Sequence, residues 1–396
     1  MADHKDNDAV LTSDTSHSFP KENVVVGKHY PALDGLRGFA VLMVIFFHSA
    51  NFAYTMAGVQ LSGVLSYYYT FTLLGETGVD LFFVLSGFLI TGILIDTCNV
   101  KNTLKTFYIR RGLRIFPLYY AVFLIILGIL VFFPGGDDAL SKITLHFLYL
   151  QNYTPTYNFD IFMYMNHTWS LAVEEQFYLF WPVLFLFFYK QSPRKALFLC
   201  LNLIIVSWLF RWFLTDFEQH KLAYTTLFSR MDELCMGALL SVCFACYRER
   251  LAQYADILGY IMFAMVLLLF GSLLVYGRVT DPQIVMIESG LIYCAIFYTA
   301  LLAHLLLSDG TSRLQKFFSI SLLGKMGRIS YGMYVFHVPI MLLMGKYLYD
   351  YQLGFIINQM ILLGGGSVIT FIIASLSYRY FEQPILKLKH KYAYES

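Results

Sequence analysis

Residues 34–54 read DGLRGFAVLMVIFFHSANFAY. At 1.5 Å of rise per residue such a run is long enough to cross a bilayer, which needs about 20 predominantly apolar residues. A surface helix of a soluble protein would show an apolar stripe opposite a charged face. Here apolar residues surround the helix, and beyond Asp34 at its start only Arg37 and His48 are ionisable. The same texture recurs near 78–96, 114–133, 168–189, 196–214, 227–247, 256–276, 285–307, 329–348 and 356–378, with short polar links between. The reading is an all-α, polytopic integral membrane bundle of about ten transmembrane helices. Tyr67–Leu74 and Ile143–Leu150 are too short to cross and are expected as re-entrant or interfacial pieces.

Composition points the same way. Of 396 residues, 58% are hydrophobic and 14% charged, with 37 Phe and 30 Tyr, and the mean hydropathy is +0.60. Typical soluble domains carry about 25% charged residues, so a soluble enzyme is excluded. A net charge of +2 gives no case for nucleic acid. The six cysteines lie mostly in apolar stretches and suggest no disulfide framework. Residues 1–28 are polar, read as a disordered cytoplasmic tail, and contain no run resembling a cleavable signal. Residues 29–386 form the transmembrane domain, and 387–396 a short basic cytoplasmic tail.

Basic loops are retained in the cytoplasm. With both termini inside, only Lys142, Arg211, Lys221, Arg230, Arg278 and Lys346 of the 28 lysines and arginines fall in outer segments. An even number of spans follows, in a multi-pass membrane protein.

Ionisable groups within spans are expensive and mark function by default. Arg37 and His48 are eleven residues apart, three turns plus roughly 20°, so both leave one helix face about 16 Å apart along the axis. A snorkelling arginine and a histidine bonded to a neighbour are the structural alternative. In HTWSLAVEEQFYLFWP (167–182), Glu174 and Glu175 fall about 9–10 Å into the core from the outer end, near the depth of His48. A carboxylate there would orient an imidazole acting as general base. Adjacent helix residues diverge by about 100°, so one glutamate alone should face His48.

In FYIRRGLRIFPLYY (107–120), Arg110, Arg111 and Arg114 cluster on one side of a helix. They suit a phosphate clamp, although topology alone explains basic residues in this loop. Asp80 is expected to pair with Arg230 or Arg211, or to line an acceptor entrance. In the ninth span His337 stands beside Pro339, which frees a backbone carbonyl; a structural histidine is the simpler reading, with Tyr331 a further candidate. The run Gly364–Gly366 suits close helix packing better than a broken transporter helix. No P-loop, dinucleotide fingerprint, HExxH or nucleophile elbow occurs. Cys243 and Cys246 lack the partners a zinc site needs, so no metal is expected.

LDGLRGFAVLMVIFFH (33–48) resembles the R-x10-H signature of the acyltransferase 3 family of membrane acyltransferases. The resemblance continues through GVDLFFVLSGFLI, RRGLRIFPLYY, HTWSLAVEEQFYLFWP, GRISYGMYVFHVPI and SYRYFEQPI, from Tyr30 to Leu388. Residues 196–310 contribute little to it. It implies transfer of an acyl group, most often acetyl, from cytoplasmic acyl-coenzyme A to a carbohydrate or glycolipid hydroxyl beyond the membrane. Arg37 and His48 would be the essential pair, Glu174 the glutamate of the fourth-span motif, and Arg111 and Arg114 the donor arginines. Some members add an extracytoplasmic esterase-like domain; this sequence ends shortly after Tyr380–Pro384, so that step is expected to be absent or carried by another protein. The main rival is a transporter for a small solute or acylated precursor, which predicts inverted repeats and paired broken helices, neither evident. A membrane-bound O-acyltransferase of the other large fold would show different signatures.

Overall fold

A computed structural model describes residues 30–58, 60–132, 139–153, 161–275, 282–308, 310 and 312–394. The first tail, residues 1–28, and the end of the last one lie outside the described residues. Among the described residues ten long helices carry the fold: α1 (Pro31–Ala57), α2 (Gly78–Asp96), α3 (Thr103–Phe132), α4 (Trp169–Tyr189), α5 (Pro193–Asp216), α6 (Leu227–Cys246), α7 (Ala255–Val275), α8 (Leu291–Leu307), α9 (Ser330–Leu348) and α10 (Phe355–Ser377). No strand occurs among the described residues. The short runs at Tyr67–Leu74 and Ile143–Leu150 fall on helices of ten and nine residues, Val64–Leu73 and Ala139–Phe147.

Eight described helical segments are long and apolar enough to cross a membrane. The two expected spans that fall short are α6 and α9. Their shortfall has a physical cause. α6 carries Arg230, Asp232 and Glu233, all fully buried, and α9 carries buried His337 among its tyrosines. These polar residues face protein, in α6 and in the first half of α9, and so belong to the interior. The chain is a multi-pass membrane protein.

α1 opens on Pro31, whose fixed φ suits the first helical turn, and ends on Gly58 at φ 62°, the left-handed conformation glycine adopts without strain. It packs on α2, α9, α10 and the short helix Ser321–Arg328. α2 lies against α6, α5 against α6, and α9 against α10. The α2–α6 contact is a backbone contact. A Cβ on Gly87 would lie 1.8 Å from the Leu234 carbonyl oxygen, and one on Gly237 would lie 2.0 Å from that of Val84. Gly87→Val must therefore push the helices apart, an overpacking cost of about 1–3 kcal/mol. It should lower the melting temperature of the detergent-solubilised protein; an unchanged temperature would contradict the contact. In α10 the run Gly364–Gly366 lies in an unbroken helix, with Gly365 and Gly366 against Met344 and Met341.

A buried ion network ties α2, α5 and α6 together. Arg230 pairs with Asp80 and lies 3.1 Å from Glu233, and Arg211 pairs with Asp232 at 2.7 Å. The Arg230 guanidinium also stacks over the rings of Tyr224, Phe83 and Trp169. Asp80 is thus a structural anion, and it does not line the central cavity. Arg211 and Arg230, which the sequence placed in outer segments, are sealed inside the bundle, so their charges carry no topological information.

Candidate active site

α1, α2, α3, α4 and α9 enclose a cavity of about 220 Å³. Along α2 its lining runs from Ile93 to Val79, about 20 Å of helix rise. Arg37, Arg111 and Arg114 line it, with Glu174, Tyr178 and Tyr331. The spacing of the arginines explains their convergence: Arg111 and Arg114 are one turn apart on α3, and Arg37 comes from the first turns of α1. Arg37 is steadied by Asp34, 2.8 Å away one turn earlier. Arg111 lies over the Tyr178 ring at 5.4 Å, and the Tyr178 hydroxyl meets that of Ser86. Glu174 has Ser86 and Tyr178 as hydrogen-bond partners. Three guanidinium groups and one carboxyl thus share the cavity, and its extension runs along the apolar side chains of α2.

The extension ends at Tyr334. Its hydroxyl donates to the His167 carbonyl at 2.8 Å and lies 2.6 Å from the Ser170 hydroxyl. Beyond Tyr334 stand three imidazoles. The His337 ring centroid is 4.9 Å from those of both His48 and His167, and His48 and His167 are 6.5 Å apart. His337 is fully buried. His167 is 5% exposed, and neither of its ring nitrogens has a hydrogen-bond partner among the described residues. No group of three His, Cys, Asp or Glu among the described residues is arranged to hold a metal ion.

The structure brings together some of the expected residues and separates others. Arg37, Arg111, Arg114, Glu174 and Tyr331 share the cavity, where the Tyr331 hydroxyl donates to the Ile115 carbonyl at 2.6 Å. Arg110 is outside it, beneath the Tyr394 ring at 5.2 Å. The basic tail is held there, because Asn102 donates to the Ala393 carbonyl at 3.1 Å and Lys387–Lys391 forms a short helix.

The expected meeting of His48 with a glutamate is not observed. His48 contacts His337, whereas Glu174 points into the arginine cavity and Glu175 lies among α3-side tyrosines near Tyr149 and Tyr331, with one carboxyl oxygen unpartnered. Depth arithmetic placed these groups at similar levels, but level does not fix azimuth, and His48 meets His337 of α9 instead. His167, Tyr334, Ser170 and Tyr178 were not singled out from sequence. A signal existed for His167: it precedes Glu174 by seven residues, nearly two full turns. For Tyr334 the signal was its three-residue spacing from both Tyr331 and His337.

The sequence profile of a family described as an acyltransferase domain matches residues 30–379. The chain belongs to that family. The domain therefore includes the arginine cavity and all three imidazoles. The peptidoglycan O-acetyltransferase OatA of Listeria monocytogenes is 31% identical over 379 residues, covering 91% of this chain and 56% of the relative. The O-acetyltransferase OatA of Staphylococcus aureus is 28% identical over 390 residues, covering 92% of this chain and 58% of the relative. The acyltransferase chain thus spans little more than half the length of these relatives. No solved structure matches it.

Proposed function

We propose that the chain is a membrane O-acetyltransferase that takes an acyl group, acetyl by preference, from acyl-coenzyme A at the cytoplasmic face and delivers it to a carbohydrate hydroxyl on the other side. The observation that carries this reading is the cavity itself, cationic where Arg37, Arg111 and Arg114 converge and ending one side chain short of the imidazole cluster. Arginine forks suit phosphate oxygens, so the nucleotide end of the coenzyme stays among them. Its slender arm follows the apolar wall of α2 toward Tyr334. The names of the relatives support a glycan acceptor of the peptidoglycan type.

In the reaction the His48 imidazole takes the proton of the acceptor hydroxyl as that oxygen bonds to the acyl carbon. The carbon–sulfur bond breaks, and the departing thiolate recovers the proton from the imidazolium. Glu174 serves the donor, held by Ser86 and Tyr178 beside Arg111, and does not act on His48. No metal takes part in this scheme.

Arg111→Ala tests the donor half. Removing one charge-assisted phosphate contact, worth about 1.5–3 kcal/mol, should raise the KM for acetyl-coenzyme A by roughly 10- to 100-fold with little change in kcat. Initial rates of thiol release from membrane vesicles measure both. An unchanged KM would leave the arginine loop with a topological role alone.

A further inference from the structure

The hydrogen bonds around His48 fix more than its position. Its Nδ1 lies 3.0 Å from the Val44 carbonyl oxygen and 3.2 Å from Nε2 of His337. A carbonyl only accepts, so the His48 Nδ1 carries the hydrogen. The same rule applies one ring further on, where His337 Nδ1 lies 2.6 Å from the Tyr334 carbonyl oxygen and must donate to it. Two N–H groups cannot face each other at hydrogen-bonding distance, so His337 Nε2 is bare and accepts from His48 Nδ1–H. His337 is therefore neutral, with both nitrogens committed. His48 is left with a single tautomer in which Nε2 holds the lone pair, and that nitrogen makes no hydrogen bond among the described residues.

From this chain of donors we infer that His337 is the positioning residue of the reaction: it selects the His48 tautomer whose Nε2 is the base, and shares the Nδ1 proton with the Val44 carbonyl when His48 becomes an imidazolium. The inference rests on the proposed role of His48 and adds the atom that acts and the group that orients it. The role a carboxylate plays beside many catalytic histidines falls here to a second imidazole. Among the described residues no hydrogen bond joins Glu174 or Glu175 to His48, and the aromatic rings beside it are those of His337, His167, Phe47 and Phe52. His337 can fill this role because it is fully buried and pinned by its own helix, one turn from Tyr334.

The geometry yields a test that separates orientation from packing. A glutamine places its amide where a histidine has Nε2, and an asparagine places it where a histidine has Nδ1. His337→Gln keeps an acceptor for His48, whereas His337→Asn keeps only the bond to the Tyr334 carbonyl. Both variants and His48→Ala are to be compared in full-length protein in membrane vesicles. Acetyl-coenzyme A is the donor and a soluble β-1,4-linked N-acetylglucosamine oligosaccharide the probe acceptor. His337→Asn should lower kcat by roughly 10- to 100-fold, part of the 10²–10⁴ that a general base contributes, with KM for acetyl-coenzyme A unchanged. His337→Gln should recover to within about threefold of the parent, well above that loss. Equal activity in the Gln and Asn variants, or an Asn variant more active than Gln, would overturn the inference while His48→Ala remained inactive. An active His48→Ala would instead remove the reading beneath it.

Discussion

His48→Ala is expected to reduce acyl transfer by about 10²–10⁴-fold, the usual contribution of a general base. The loss should appear in kcat, because His48 lies outside the arginine-lined cavity and contributes nothing to its lining. Expression and membrane insertion should be unaffected, since the ring is only half-buried and its removal leaves His337 with its bond to Tyr334 intact. The measurement is the release of ester-linked acetate by mild base from surface glycans of cells carrying either form. Equal acetate at equal protein level would remove His48 from the mechanism.

The second large effect concerns stability. Arg230→Leu would strand Asp80 and Glu233, both 1% or less exposed, without their shared cation. Breaking a buried ion pair by deleting one partner costs about 3–5 kcal/mol, because the remaining charge stays buried. In this protein two carboxylates are stranded, and α6 also loses the stacking of Arg230 on Tyr224, Phe83 and Trp169. The purified variant should unfold at a clearly lower temperature and give less monodisperse protein. The double change Asp80→Leu with Arg230→Leu should recover part of the loss, since contacting residues are not additive. An Arg230→Leu variant as heat-stable as its parent would show that the network contributes little to the fold.

The fold was legible because the apolar runs in this chain greatly exceed what a soluble surface tolerates. The long helices lie where those runs are. The exceptions teach the limit of apolarity as a signal. α6 and α9 lose apolar character where they carry Arg230, Asp232, Glu233 and His337, yet these same residues are the most enclosed of all. Positive charge is likewise no guide to a membrane face at Arg211 and Arg230, which are held inside by carboxylates.

The site was legible in part. Helical spacing put Arg111 and Arg114 on one face, and both line the cavity with Arg37. Spacing along one helix does not reveal what a neighbouring helix inserts between two levels. Tyr334 of α9, anchored on Ser170 and the His167 carbonyl, lines the cavity with Glu174 and packs against His167 and His337, and its azimuth depends on how α9 packs against α1 and α10. The His48–His337 contact joins residues 289 positions apart. No local pattern encodes it.

In the proposed reaction one acyl group passes from a donor on one face of the bundle to a sugar on the other, with His48 as the base that activates the sugar hydroxyl. The most direct measurement traps the N-acetylglucosamine oligosaccharide inside sealed proteoliposomes and supplies acetyl-labelled coenzyme A outside. Base-labile label should appear on the enclosed sugar and be absent with His48→Ala. Label reaching the oligosaccharide only when donor and acceptor share a compartment would contradict transfer across the bundle.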